Sequence, residues 1–295
     1  MNYIIDSDPG IDDAIALCVL EHYAKDSVKL FVATYGNMPL YRTANNLMTM
    51  LRELDWDVPI AVGSRENQDI YEDSSYIHGK DGLGGIGMDF PEKFEKLPRD
   101  FEDEIYETAK NNGKVDYLAL GPLTNFAAVM RKHPDITEHI DRLIIMGGAF
   151  GMGNVTPYAE FNIFCDPESA KFVLENFPRA VLVGLNLTTQ LYFDEADVAG
   201  NPDLRPLCRH ILNESIHSSK IYGEPGAIMH DPTAALAMLF PREFTYEKSG
   251  VTVDCAPKGD DSRRGETFLT SGDNVAVAVE TDKETVMRLI SAAMK

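Results

Sequence analysis

The stretch Tyr3-Ile4-Ile5-Asp6-Ser7-Asp8-Pro9-Gly10-Ile11-Asp12-Asp13-Ala14 passes from strand to turn to helix within a few residues. Tyr3-Ile4-Ile5 carries the aromatic and β-branched side chains that suit a pleated, buried surface. The apolar run from Ile15 to Val19 carries on as a helix. Between the two, four carboxylates crowd into eight positions. Like charges that close repel and raise one another's pKa, unless a cation or hydrogen bonds stabilise the ionised forms. The macrodipole of the following helix contributes only tenths of a kcal/mol to about 1 kcal/mol per acidic side chain. That is too little to account for four, and a hard divalent cation held by oxygen ligands accounts for them better. Two other readings stay open on these residues alone. One is an Asp-rich surface turn in which Asp12 or Asp13 caps the helix; the other is a phosphatase with an Asp-x-Asp nucleophile after its first strand. An EF-hand loop is excluded, because its glycine and distal glutamate fall at other offsets.

Outward from this stretch the same alternation repeats. Short apolar runs predict strands over residues 3–6, 30–35, 59–62, 115–120, 142–146, 180–185 and 275–279. Amphipathic patterns predict helices over 11–25, 40–54, 101–111, 123–131, 168–175, 204–222 and 233–240, with a closing helix over 283–294. Alternation of this kind implies an α/β fold with a mainly parallel central sheet flanked by helices on both faces. No linker, composition break or repeat divides the chain, so a single domain over residues 1–295 is expected. The polar stretch 257–266 reads as an exposed hairpin tip or loop.

Composition narrows the function. A chain of 295 residues with 44% hydrophobic and 25% charged residues is ordinary for a soluble globular enzyme. The net charge of −20 argues against nucleic acid, whose phosphates need clustered Lys and Arg, and favours a neutral small-molecule substrate. No signal-peptide pattern and no run long enough to span a bilayer are read, which points to the cytoplasm and away from membranes. Cys18, Cys165, Cys208 and Cys255 are far apart with no CxxC pair, so they read as free thiols in a reducing compartment rather than a zinc site.

The chemically interesting residues fall where strands are expected to end. Asp6 and Asp8 close the first, Gly36-Asn37 the second, Leu120-Gly121-Pro122 a middle one, and Gly147-Gly148 another. Open α/β sheets bind ligands outside the carboxyl ends of their strands, so these loops converge on one place.

Asp6 to Ala14 matches the pattern DxDPGxDDA, and other blocks follow in order. They are Tyr35-Gly36-Asn37; His78-Gly79; Gly121-Pro122-Leu123-Thr124-Asn125; Met146-Gly147-Gly148; Asn154 with Ala159-Glu160-Phe161-Asn162 and Asp166-Pro167-Glu168; and Met229-His230-Asp231-Pro232. Together they resemble the nucleoside hydrolases, the inosine-uridine-preferring family, along essentially the whole chain. The resemblance implies a Rossmann-type fold and hydrolysis of an N-ribosidic bond to ribose and free base, in nucleoside salvage. It implies one Ca²⁺ held by Asp8, Asp13, Asp231 and the backbone carbonyl of Leu120, with the ribose 2′- and 3′-hydroxyls and a water completing the shell. Asp8 is implied to be the general base for that water. Asp12, Asn37, Asn154, Glu160 and Asn162 are implied to grip the ribose, with Phe161 packed beside it. On the residues alone, Asn37 serves equally as a turn residue, Asn154 as a left-handed residue after Gly153, and Asn162 as a cap. A homodimer or homotetramer is implied as well.

Cleavage passes through an oxocarbenium-like transition state that neighbouring carboxylates stabilise. The leaving base needs a proton, and His230, beside Asp231, is the expected acid, with an intrinsic pKa near 6.5; a packed structural histidine is its alternative. His78 is expected to line the base pocket or a closing loop, the glycine-rich stretch 78–87 acting as a flexible lid rather than a P-loop. Tyr222 is expected either at the base or in the core. Purine-restricted relatives stack the base between tryptophans, whereas the only Trp here, Trp56, lies far from every block. That difference points to the inosine-uridine or pyrimidine-preferring branch. The rival functions are the phosphatase, with Asp6 attacking a phosphate, and a calcium-dependent nucleoside-binding protein without turnover.

Overall fold

Ile4 and Ile5, adjacent in sequence, are both fully buried but belong to different cores. Successive side chains of a strand point to opposite faces, so β1 (Asn2–Ser7) must lie between two apolar layers. In the computed structural model, which describes residues 1–65, 75–87, 97, 100–257 and 263–295, β1 is a central strand of an eight-stranded sheet. The other strands are β2 (Val28–Ala33), β3 (Ile60–Val62), β4 (Val115–Ala119), β5 (Ile140–Met146), β6 (Ala180–Val183), β9 (Phe244–Val253) and β10 (Thr267–Thr281). A separate antiparallel pair joins β7 (Tyr192–Phe193) to β8 (Ala227–Ile228).

The sheet order is β3-β2-β1-β4-β5-β6-β10-β9, with every neighbouring pair parallel except β10 and β9. One face packs on α1 (Ile11–Ala24) and α2 (Leu40–Glu53), and the other on α3 (Phe101–Asn111) and α4 (Thr124–Lys132). After β5 come the short α5 (Phe161–Cys165) and then α6 (Pro167–Asn176), which packs with α3 and α4. The last three helices, α7 (Pro206–Tyr222), α8 (His230–Leu239) and α9 (Lys283–Ala293), join the α1 face. The expected α/β class with helices on both faces is what the structure has, in one domain. Among the described residues no helix is long and apolar enough to cross a membrane.

The chain runs outward from β1 to β3, then returns to β4 on the opposite side of β1 and continues to β6. This reversal makes the carboxyl ends of β1 and β4 a topological switch point, where such sheets open a crevice.

Three sequence expectations need correction. The strand expected at 275–279 is the inner end of β10, which begins at Thr267. Its antiparallel partner β9 was not expected at all. The stretch 257–266 is the connection between these two strands, but Arg264 and Gly265 within it are buried, not exposed. Arg264 makes a two-pronged ion pair with Glu168 at 3.0 and 3.1 Å, which carries its charge under the loop; residues 258–262 lie outside the described residues.

Candidate active site

Pro9-Gly10 links β1, which ends at Ser7, to α1, and the first N–H groups there are taken up by side chains. Asp13, at the third helical position, turns back: its Oδ2 accepts the Gly10 N–H at 2.9 Å and its Oδ1 accepts the Ser7 hydroxyl at 2.6 Å. A carboxylate there satisfies a free helix N–H and lies favourably in the dipole. Asp231 lies in the first turn of α8, which packs against α1. Asp12, Asp13 and Asp231 offer carboxylate oxygens that all lie within 4.8 Å of one another. Asp12, expected as a sugar contact, thus stands with the acidic group.

Asp8 is held differently. Its Oδ2 accepts the Asn37 N–H at 2.7 Å, and the Asn37 side-chain amide donates to the Asp8 carbonyl at 3.2 Å and to Asp13 Oδ2 at 3.1 Å. Its Oδ1 is buried with no hydrogen-bond partner among the described residues. Two glycines close around this carboxylate. A Cβ on Gly36 would lie 2.1 Å from Asp8 Oδ2, and one on Gly121 would lie 2.7 Å from Oδ1. No side chain fits at either position without displacing Asp8.

Burial pushes Asp8 and Asp231 well above the usual carboxylate range, and repulsion from Asp13 and Asp12 adds to it. Burial and Asp13 push Asp12 up to about 7. Asp12, Asp13 and Asp231, with the Asp8 carboxylate near enough to be repelled by them, are a hard, all-oxygen donor set. A divalent cation fits it and relieves the repulsion.

Above this cluster opens a cavity of about 400 Å³, a size typical of small-molecule sites. Asp12, Asn37, His78, Leu120, Asn154, Glu160, Phe161, Asn162, Tyr222, His230 and Asp231 all line it. Asp8 and Asp13 lie beneath it, buried. Residues from six separate stretches of sequence therefore do converge.

Several of them hold each other in place. Asn162 donates to the Leu120 carbonyl at 2.6 Å and to the Met146 carbonyl at 3.2 Å, tying the ends of β4 and β5 together. Glu160, not Asn162, is the helix cap: its Oε1 accepts from the Asn162 N–H at 2.9 Å, and its Oε2 from Ile163 and Gly148 at 3.1 and 3.2 Å. Burial pushes Glu160 up to about 7 despite these bonds. Asn154 Oδ1 accepts the Phe161 N–H at 2.9 Å. Below them Thr124 donates to Asp166 at 2.6 Å and meets the Tyr35 hydroxyl at 3.1 Å, which joins the loops after β2, β4 and β5.

The two histidines are wall residues. His78 accepts the Ile11 N–H on Nδ1 at 3.1 Å, and burial followed by the nearby His230 holds its pKa down to about 4. The imidazole is therefore neutral with its proton on Nε2. Gly10 is required there, since a Cβ would lie 2.5 Å from His78 Nδ1. His230 pairs its Nδ1 with the Thr188 hydroxyl at 2.7 Å, and burial lowers it too to about 4. The expectation of an unperturbed imidazole is corrected: desolvation favours the neutral ring. Residues 79–87, expected as a lid, are wound around Asp81. Its carboxylate accepts N–H groups from Leu83, Gly85 and Gly87 at 3.1, 3.0 and 2.7 Å, and Asn46 fastens the turn at 2.9 Å.

Sequence reasoning missed part of the cavity wall. Ser215, Ser218 and Ser219 line it together with Tyr222, at i, i+3, i+4 and i+7 along α7, one helical face. The hydroxyl periodicity was the available signal. Thr188, which orients His230, carried none. Asp6, the nucleophile of the phosphatase reading, does not line the cavity. It is buried and its oxygens accept from the Tyr117 hydroxyl at 2.7 Å and the Asn125 amide at 3.0 Å.

Residues 3–288 match the profile of the family described as inosine-uridine preferring nucleoside hydrolase. Uridine nucleosidase 1 of Arabidopsis thaliana is 34% identical over 85% of this chain and 77% of its own length. The pyrimidine-specific ribonucleoside hydrolase RihA of Salmonella paratyphi A is 32% identical over 99% of this chain and 97% of its own. Among solved structures, a plant nucleoside hydrolase superposes with a TM-score of 0.87 at 26% identity, covering 99% of this chain and 98% of its own.

Proposed function

The chain belongs to the inosine-uridine preferring nucleoside hydrolase family and is a hydrolase of N-glycosyl bonds; from that premise we propose that it cleaves ribonucleosides with Asp8 as general base and Ca²⁺ as its resident cation. The observation that carries this reading is the unpartnered, buried Asp8 Oδ1, on a carboxylate that feels the charge of the clustered Asp12, Asp13 and Asp231. Asp8, Asp13, Asp231 and the Leu120 carbonyl are the residues that would hold the cation, with Asp12 within the same group of oxygens. The carbonyl already accepts from Asn162, but a carbonyl oxygen has two lone pairs. When bound, the cation supplies orientation and polarisation of a water and of two neighbouring sugar hydroxyls.

The chain's own residues do the rest. Asp8 takes a proton from the attacking water as its oxygen bonds to the sugar C1′ and the C1′–N bond breaks. A positioned base of this kind contributes about 10² to 10⁴ in rate. The surrounding carboxylates stabilise the positive charge that develops on the ring. His230, neutral and fixed by Thr188, presents its other nitrogen to the departing base and donates the hydrogen bond that stabilises the leaving nitrogen. Asn37, Asn154, Glu160 and Asn162, already cross-braced, present the remaining polar groups to the ribose.

A pyrimidine or hypoxanthine base is the favoured leaving group, and the cytoplasm the proposed compartment. The relatives named for uridine and pyrimidines support the first point. So does the placement of Trp56, buried against Phe31 with ring centroids 5.1 Å apart and absent from the cavity wall. Initial rates of base release from uridine, cytidine, inosine, adenosine and guanosine, each with and without chelator, test the reading. Chelator-sensitive release, highest for uridine, cytidine or inosine, is expected. Release indifferent to chelation overturns the cation, and no release from any nucleoside overturns the reaction.

A further inference from the structure

Cys18 and Cys208 are separated by 190 positions in sequence, yet their Sγ atoms lie 3.6 Å apart, both fully buried. Cys18 is on α1 and Cys208 on α7, so the pair lies where the helix that begins with Asp12 and Asp13 crosses the helix that carries the serine wall. The proposed hydrolysis uses neither thiol. Burial raises both thiols, but the neighbourhood of Cys208 works against it. Cys208 occupies the first turn of a 17-residue helix, where the dipole and free N–H groups favour a thiolate. Arg205 immediately precedes that helix, anchored by Nη2 on the Ala293 carbonyl at 2.6 Å and by Nη1 on Glu21 at 3.4 Å. The Cys18 thiol and the Arg205 charge both lower the Cys208 pKa, while its contact with Cys208, and burial, raise that of Cys18.

We propose that Cys18 and Cys208 are a redox-active dithiol that closes to a disulfide between α1 and α7 when the protein meets a peroxide. The Cys208 thiolate attacks one peroxide oxygen and breaks the O–O bond. A sulfenic acid forms on Cys208, and the departing hydroxide takes up a proton as the first water. The Cys18 sulfur then attacks the sulfenic sulfur. The Cys18 proton leaves with the sulfenic hydroxyl as the second water. Two thiols lose two electrons and one peroxide gains them. The sulfurs close from 3.6 Å to the about 2.05 Å of a disulfide. The bond would tie the acidic end of α1 to the helix whose far half forms the cavity wall.

The test uses the folded wild-type chain, whose four cysteines are all free. After exposure to hydrogen peroxide, remaining thiols are alkylated under denaturing conditions and the protein is digested for mass spectrometry. The expected result is a Cys18–Cys208 cross-linked peptide, loss of two of the four thiols, and return of both on treatment with dithiothreitol. In Cys18→Ser, Cys208 should stop at the sulfenic acid and be trapped by dimedone. Should that variant fail to fold, the wild-type peptide map decides alone. Four free thiols after exposure that fully oxidises added glutathione overturn the proposal. So does a cross-link that involves Cys165 or Cys255, or irreversible sulfinic acid on Cys208 without any cross-link.

Discussion

Asp8 is set apart from its acidic neighbours by its surroundings, which are two glycine backbones and one main-chain N–H rather than side chains. Two expectations follow for Asp8. Asp8→Asn keeps the shape and can still accept from Asn37, so melting temperature should change little while kcat falls by about 10² to 10⁴. Equal rates for variant and wild type would remove the base. Gly121→Ala puts a methyl 2.7 Å from Asp8 Oδ1 and 2.6 Å from the Thr34 methyl, so Asp8 must shift. Hydrolysis should drop at least tenfold, because roughly an ångström of misplacement can cost about 100-fold. His230→Ala separates its role from packing. Release of natural bases should slow far more than release from a nitrophenyl riboside, whose leaving group needs no acid, and similar losses on both would leave His230 only a structural part.

Elements bring these residues together by their ends. The amino ends of α1 and α8 meet, and each contributes acidic residues from its first turn, so two helix dipoles point at one cluster. The turn at 79–87 stands beside them on Asn46 and Asp81. Asp81→Ala removes an acceptor from three N–H groups, and faster hydrogen exchange across 79–87 is expected, together with a several-fold rise in KM as His78 loses its support. Unchanged exchange would show that Asn46 suffices.

Much of this level was readable in advance. The parallel strands at the centre announced themselves as apolar runs, because both faces of each are covered. β9 did not: it is an edge strand that exposes Glu247 on one face and Lys248 on the other, and Ser249-Gly250 interrupts the apolar pattern. The part of β10 before residue 275 exposes Thr270 to Asp273 and was not among the expected strands for the same reason. β7 and β8, two residues each, are too short to show any period. At the site, residue types were legible while their bonding was not. Glu160 and Asn162 could be picked out, but that one caps a helix and the other spans two strand ends depends on chain segments far away in sequence.

For the whole molecule, the buried acids set how stability responds to pH. Asp6 and Glu160 ionise near 3.8 and 4.5 when unfolded but are pushed to about 7 in the fold, chiefly by burial. Between those values the native chain keeps protons that the unfolded chain has lost. Their contribution is therefore full below about 4 and disappears as pH rises through about 7. Chelated protein should melt at progressively lower temperature from pH 5 to pH 8. Ca²⁺ binds ionised carboxylates, so the rise in melting temperature on adding it should be larger at pH 8 than at pH 5. A rise that is the same at both pH values would place the cation away from the acidic cluster.

The strand order carries one more consequence, for synthesis. β1 is made before every other strand of the sheet yet lies in its middle, and β10, which separates β6 from β9, is made after all of them. Asp8 and Asp13 leave the ribosome long before Asp231. A nascent chain that has reached the end of α7 has most of its parallel strands but only one side of the acidic cage, so it cannot yet retain an ion there. Metal loading should follow the emergence of α8, which carries Asp231, and not precede it.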